Sequence, residues 1–208
     1  MTIEQYDTEH FIQYLSDIWY LAEGVYRDGM RRWDELELFD RETLLNWLYK
    51  WDIEDFSSFS LQSSWLLDQG YRAEYEQYSA KLVTFPYAQR ISYIEKADLG
   101  EQEQEKLRII LQYQNILSSS GILAYDYITY IGLQYFGNIL GFLSKSEFQS
   151  NVIAAAKTLQ SKYTNWGDCM IACIAGALFQ GSADYYPNYQ ISKKEYMEVL
   201  HTLHDLHE

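Results

Sequence analysis

The chain has 208 residues, of which 48% are apolar and 22% charged, a balance that excludes disorder and allows one domain with a sizeable core. Its formal net charge of −14 disfavours direct binding to the phosphate backbone of a nucleic acid. Two prolines and few tight-turn dipeptides in the whole chain argue against an all-β fold.

Helical signals then follow one another along the chain. Asp7 or Thr8 caps a first helix whose buried side holds Phe11, Leu15, Ile18, Trp19 and Ala22. Asp40 precedes a second, with Leu44, Leu45, Trp47, Leu48 and Trp51 for the core. Ser57 or Ser58 starts a segment containing Trp65, Leu66 and Leu67, and Gly70 stops or kinks it before YRAEYEQYSAKL. Pro86 suits the first turn of PYAQRISYIEKA, and Gly100 ends that unit. EQEQEKLRIILQYQNIL follows, acidic at its start as the helix dipole prefers. Ser144 with Glu147, Asn165 with Asp168, and Ser192 with Glu195 have capping-box spacing before three later helices, and Gly141 and Gly181 sit where helices end. No stretch alternates at period two for long enough to be a strand. The expectation is an all-α single globular domain of about eight or nine helices.

Between Arg108 and Lys145 only Asp126 carries a charge, so residues 109–143 are expected to supply the central buried helices, with Gly137 and Gly141 permitting close helix contact. Polar residues such as Gln112, Asn115 and Ser118 interrupt this run too often for a membrane span. A carboxylate in such surroundings is costly unless paired or hydrogen-bonded. Arg72, flanked by aromatic residues in the first half, is a partner of the right charge with bidentate geometry available. Two readings stand: a structural one, in which Asp126 ties the halves through Arg72 or is bonded to Tyr hydroxyls and backbone amides, and a functional polar pocket around Asp126 and Arg72.

Two blocks resemble a known family. Residues 51–75 hold a Trp-x-Ile start and then Trp65, Leu66, Gly70, Tyr71, Arg72 and Tyr75 in order. Residues 124–179 hold Asp126, then Gly141, Phe142, Leu143, Ser144 and Glu147, then Leu159, Gln160, Tyr163 and Trp166. Together they are similar to the bacterial family of domain of unknown function 1266, over roughly residues 40–205. The resemblance implies a helical core over 40–205, with 1–39 as an N-terminal helical annex, and carries no activity. The chain departs from the family pattern at Thr129 and at Gly176-Ala177, where the pattern has arginines.

Signals for chemistry are thin. Cys169 and Cys173 lie one helical turn apart, a poor geometry for a disulfide, and read as reduced core thiols of a cytoplasmic protein. The start, MTIEQYDTEHF, lacks the basic and apolar regions of a signal peptide. His201, His204 and His207, with Asp205 and Glu208, offer at most part of a zinc site, and no metal or other cofactor is expected. No Gly-x-Ser-x-Gly elbow, phosphate-cradling loop or Cys–His spacing appears, so no catalytic residue is assigned.

The acids and rings are the remaining feature. Residues 1–99 carry 19 acidic against 9 basic side chains. Asp34, Glu35, Glu37, Glu54 and Asp55, with Tyr185, Tyr186 and Tyr189 around Pro187, have the composition of a surface that anchors a basic protein. The preferred expectation is a non-enzymatic bacterial protein-binding protein, in its sharpest form an immunity protein neutralising a basic toxin such as a nuclease. The alternatives are an enzyme or small-ligand protein using Asp126 and Arg72, and a self-associating helical scaffold.

Overall fold

The structure is a computed structural model that describes residue 3 and residues 7–22, 33–49, 51–96 and 99–181. Tyr185, Tyr186, Tyr189, the Ser192–Glu195 pair and the C-terminal histidines lie outside the described residues. Nine α-helices and one 3₁₀ helix occur among the described residues, which contain no strand. They are α1 (Thr8–Ala22), the 3₁₀ helix Trp33–Leu38, α2 (Arg41–Tyr49), α3 (Phe56–Asp68), α4 (Gly70–Val83), α5 (Tyr87–Lys96), α6 (Glu101–Tyr113), α7 (Leu123–Ile139), α8 (Lys145–Lys162) and α9 (Trp166–Gln180). The fold is all-α, as composition and periodicity require.

Helix α7 is the axis. Ala124, Asp126, Ile128, Tyr130, Leu133 and Phe136 are all buried, so the helix is enclosed around its circumference. It packs against α1, the 3₁₀ helix, α3, α4, α8 and α9. Phe11, Leu15 and Ile18 of α1 and Trp33 and Leu36 of the 3₁₀ helix share one apolar cluster with α7, α8 and α9. A second cluster joins Tyr75 and Leu82 of α4, Ile94 of α5, Leu107 and Ile110 of α6, and Phe179 of α9. Gly137 lets α3 approach α7 closely, because a Cβ there would stand 2.5 Å from Cζ of Phe59. Gly141 has no such role: it ends α7 and an added Cβ would meet nothing within 4 Å.

The charge-poor run 109–143 is not continuously buried. Helix α6 ends at Tyr113, and the turns before α7 leave Asn115 and Ile116 exposed. Two helix starts also differ from expectation. Helix α3 is capped by Asp55, which accepts from the Ser58 amide at 2.9 Å, while the Ser58 hydroxyl returns to the Asp55 amide at 3.0 Å. Ser58 is thus the third residue of the helix rather than its start, because Asp55 is a cap of equal rank three positions earlier. Gly100 is the N-cap of α6 instead of the terminus of α5.

Other caps fall where their spacing places them. Asp7 accepts from the amides of Glu9 and His10, at 3.0 and 3.1 Å, and Asp40 from that of Thr43 at 2.8 Å. Asn165 accepts from the Asp168 amide at 2.9 Å. Ser144 and Glu147 form the reciprocal box on α8. Ser144→Ala removes the oxygen that the Glu147 amide needs, and is expected to cost about 1 kcal/mol, read from the urea midpoint at unchanged slope. A midpoint equal to that of the unaltered chain would remove the cap's contribution.

Candidate functional site

Asp126 is fully buried on α7, opposite the break between α3 and α4. Gln69 closes α3 by donating its amide to the Trp65 carbonyl at 2.9 Å, and its side chain caps nothing on α4. Gly70 then turns the chain with φ +59°, and α4 begins. A helix start leaves its first amides without partners in the chain segment itself. Here the partner comes from a distant helix. Asp126 Oδ1 accepts the Tyr71 amide at 2.8 Å, and Oδ2 accepts the Arg72 amide at 3.1 Å.

Arg72 completes the other end. Its Nη1 donates to Asp126 Oδ2 at 2.9 Å and to the Leu66 carbonyl at 2.8 Å, and its Nη2 donates to the Leu67 carbonyl. One carboxylate therefore sits at the N-terminus of α4, and one guanidinium at the C-terminus of α3, each of the sign that the helix dipole favours. The surrounding wall is aromatic. The Tyr71 ring stands edge-on to Trp65 at 4.9 Å and lies 5.5 Å from Tyr125, and the guanidinium lies 5.8 Å from the Tyr127 ring centre. There is no room for a side chain at residue 70, because a Cβ would fall 2.2 Å from Asp126 Oδ2.

Burial pushes the Asp126 carboxyl up to about 6, against the two amides and the Arg72 charge, which hold it down. At neutral pH it is the anion that the three donors face. Both oxygens are engaged and the side chain is closed from solvent, while Arg72 retains slight exposure. The arrangement ties three helices together. Its chemistry is that of a cap and an ion pair, with no open position at the carboxylate.

Two further long-range caps close α7. The Tyr163 hydroxyl accepts the Ala124 amide at 3.0 Å at its start, and burial raises the phenol so that it remains protonated. Arg41 Nη1 donates to the Leu140 carbonyl at 2.8 Å at its end. Tyr163 already belongs to the family-like pattern, as the aromatic after Gln160, which was the available signal. Nothing local marks Arg41. A polar line, from half-buried Asn151 to buried Gln134 at 2.9 Å and on to Ser63 at 3.3 Å, runs from α8 across α7 to α3.

The surface acids stand apart from this junction. Asp34 and Glu37 are exposed on the 3₁₀ helix, with Glu35 half-buried; Glu54 and Asp55 are exposed before α3. No hydrogen bond or ion pair between described residues joins any of them to Asp126 or Arg72. Hydrogen bonds to Ser58 hold the Asp55 carboxyl below the usual carboxylate range, so this acid serves α3 as well as the surface.

Elsewhere, Cys169 and Cys173 are buried and form no disulfide, and burial pushes the Cys169 thiol up to about 12, far from a reactive thiolate. Thr129 and Gly176-Ala177 are buried too. At Gly176 an added Cβ would stand 2.2 Å from that of Tyr125, so this crossing of α7 and α9 holds no arginine. A hollow of about 560 Å³, lined by Tyr75, Glu76, Ser79, Gln114, Ser118 and Gly121 among others, lies between α4 and the turns before α7. Neither Asp126 nor Arg72 borders it. Among the described residues, no three His, Cys, Asp or Glu side chains converge to hold a metal ion, and no helix is long and apolar enough to cross a membrane.

The family model described as Protein of unknown function (DUF1266) matches residues 48–207, and the chain belongs to that family. No curated protein and no solved structure matches it. The matched span takes in the whole α3–α4–α7 junction, whereas α1 and the 3₁₀ helix precede it.

Proposed function

We propose that this member of the DUF1266 family works by binding a basic protein, as a cytoplasmic immunity protein that neutralises a cationic toxin such as a nuclease. The observation that carries the reading is the division of labour among its acids. The one fully buried carboxylate among the described residues, Asp126, is consumed by a helix junction. Among the described residues of the N-terminal half, Asp34, Glu37 and Glu54 stand exposed on the surface, beside exposed apolar side chains such as Leu38, 82% exposed. Such a surface attracts a basic partner from a distance and offers apolar area once contact is made. The closed packing around Asp126 favours this reading over a catalytic or ligand pocket at the same residues.

The test is growth rescue. A basic toxin domain encoded beside this gene is expressed with and without the chain, and co-expression is expected to restore growth. The triple variant Asp34→Lys, Glu37→Lys, Glu54→Lys is expected to fold normally. It should associate with the domain at least ~10-fold more slowly at low salt, with the gap narrowing as salt rises. Undiminished killing in the presence of the chain, or no basic domain encoded nearby, overturns the reading.

A further inference from the structure

The corner between α2 and α3 presents two large exposed rings on a hydrogen-bonded turn. Tyr49, the last residue of α2, is 64% exposed, and Phe56, the first of α3, is 57% exposed. Between these two rings the chain carries Asp52, Glu54 and Asp55, all exposed. Asp52 and Glu54 make no side-chain hydrogen bond or ion pair among the described residues. Large exposed rings carry a hydration cost that a solvated loop has no need to bear.

The corner is also fixed in place. Ile53 is buried beneath it and donates its amide to the Leu48 carbonyl at 3.1 Å. Trp51 donates to the same carbonyl at 2.9 Å, and Asp52 to that of Tyr49 at 3.1 Å. The Ser58 hydroxyl takes the amides of Glu54 and Asp55, at 2.9 and 3.0 Å. Asp52 holds a left-handed backbone, φ +57°, which sets the direction of the turn. A surface already ordered in this way loses little freedom when a partner covers it.

We propose that the α2–α3 corner is the docking point of the basic partner, with the Tyr49 and Phe56 rings as its apolar anchors and Asp52 and Glu54 facing lysines or arginines of that partner. The assignment rests on the function proposed above. Its occupant follows from charge complementarity: the rings flank three exposed carboxylates, Asp52, Glu54 and Asp55, against one base in the intervening sequence, Lys50, and the chain bears a net −14. Aromatic anchors beside a net charge of one sign suit an apolar spot beside charges of the other. A second copy of this chain would bring like charge to like.

The probe is the catalytically inactivated basic domain encoded beside this gene, titrated against the full chain. The double variant Tyr49→Ala, Phe56→Ala is expected to melt as the unaltered chain does and to bind at least 30-fold more weakly, mainly through faster dissociation. Tyr87→Ala, Ile91→Ala, which removes two rings or side chains of similar exposure from α5, serves as control and is expected to bind normally. Equal binding by the corner variant overturns this assignment and leaves the proposed function standing. Equal losses in both double variants also overturn it. If the unaltered chain fails to bind the domain, or no such domain is encoded there, the proposed function falls and the corner assignment with it.

Discussion

Gly70→Ala is expected to cost about 4 kcal/mol or more, enough to remove much of the stability of an ordinary domain. Two effects add. An alanine held at φ +59° is strained by roughly 1–2 kcal/mol. The larger effect is the clash of the new Cβ with Asp126 Oδ2, which would stand 2.2 Å away. Neither partner can yield cheaply. The carboxylate is held by the Tyr71 and Arg72 amides and by the guanidinium, and moving it leaves buried donors unpaired. Gly121→Ala separates the two effects. Its φ is +54°, yet an added Cβ there meets nothing within 4 Å, so only the backbone strain should appear. Urea unfolding of the two variants checks this, and equal losses would show that the clash contributes nothing.

Asp126→Asn is expected to cost about 3 kcal/mol at neutral pH. The amide keeps the shape of the carboxyl but places an NH₂ where a donor already points. If the NH₂ takes the Oδ1 position it faces the Tyr71 amide; at Oδ2 it faces both the Arg72 amide and Nη1. The guanidinium also loses its only carboxylate among the described residues and keeps the carbonyls of Leu66 and Leu67. The pH dependence carries a definite sign. The folded chain holds the Asp126 proton up to about 6, while the unfolded chain releases it near the ordinary 3.8. Between those values the folded state binds more protons, so this group's contribution to stability falls as pH rises from about 4 to about 6 and is level above that. The span corresponds to ~3 kcal/mol. The asparagine variant has no such dependence. The advantage of the unaltered chain should therefore grow as pH drops from 7 towards 4. A difference that stays constant with pH would show that the carboxyl is not raised by burial.

The two variants probe features of different legibility. Asp126 is visible in the sequence because charge is absent for many residues on either side of it, and such a carboxylate demands a partner. Arg72 is nameable as a base beside aromatic residues in the other family-like block. Backbone amides are partners that a linear reading can offer such a carboxylate; what escapes it is that they belong to Tyr71 and Arg72, at the start of another helix. Periodicity reports which face of a helix is buried, and says nothing about which distant side chain completes its ends. Arg41 on the Leu140 carbonyl is invisible for this reason, and Tyr163 is marked only by its place in the family-like pattern, which does not name the Ala124 amide as its partner. Local caps are easier, since both partners lie within one turn, as with Ser144 and Glu147. Even there Asp55 is missed as a cap, because two serines of similar propensity, Ser57 and Ser58, follow within three residues. Its reading as a surface acid shows how little composition distinguishes a charge that holds a helix from one that meets a partner.

A cap supplied from afar also imposes an order of events during synthesis. The amide of Tyr71 and the carboxylate that receives it are 55 residues apart in the chain. At the ~5–20 residues per second of a ribosome, the corner between α3 and α4 exists for several seconds before Asp126 has been made. In that interval the first amides of α4 have only water, and the α3–α4 pair cannot lock into its final angle. The nascent chain thus carries an open hinge until α7 emerges, and arrival of the central helix is what closes it.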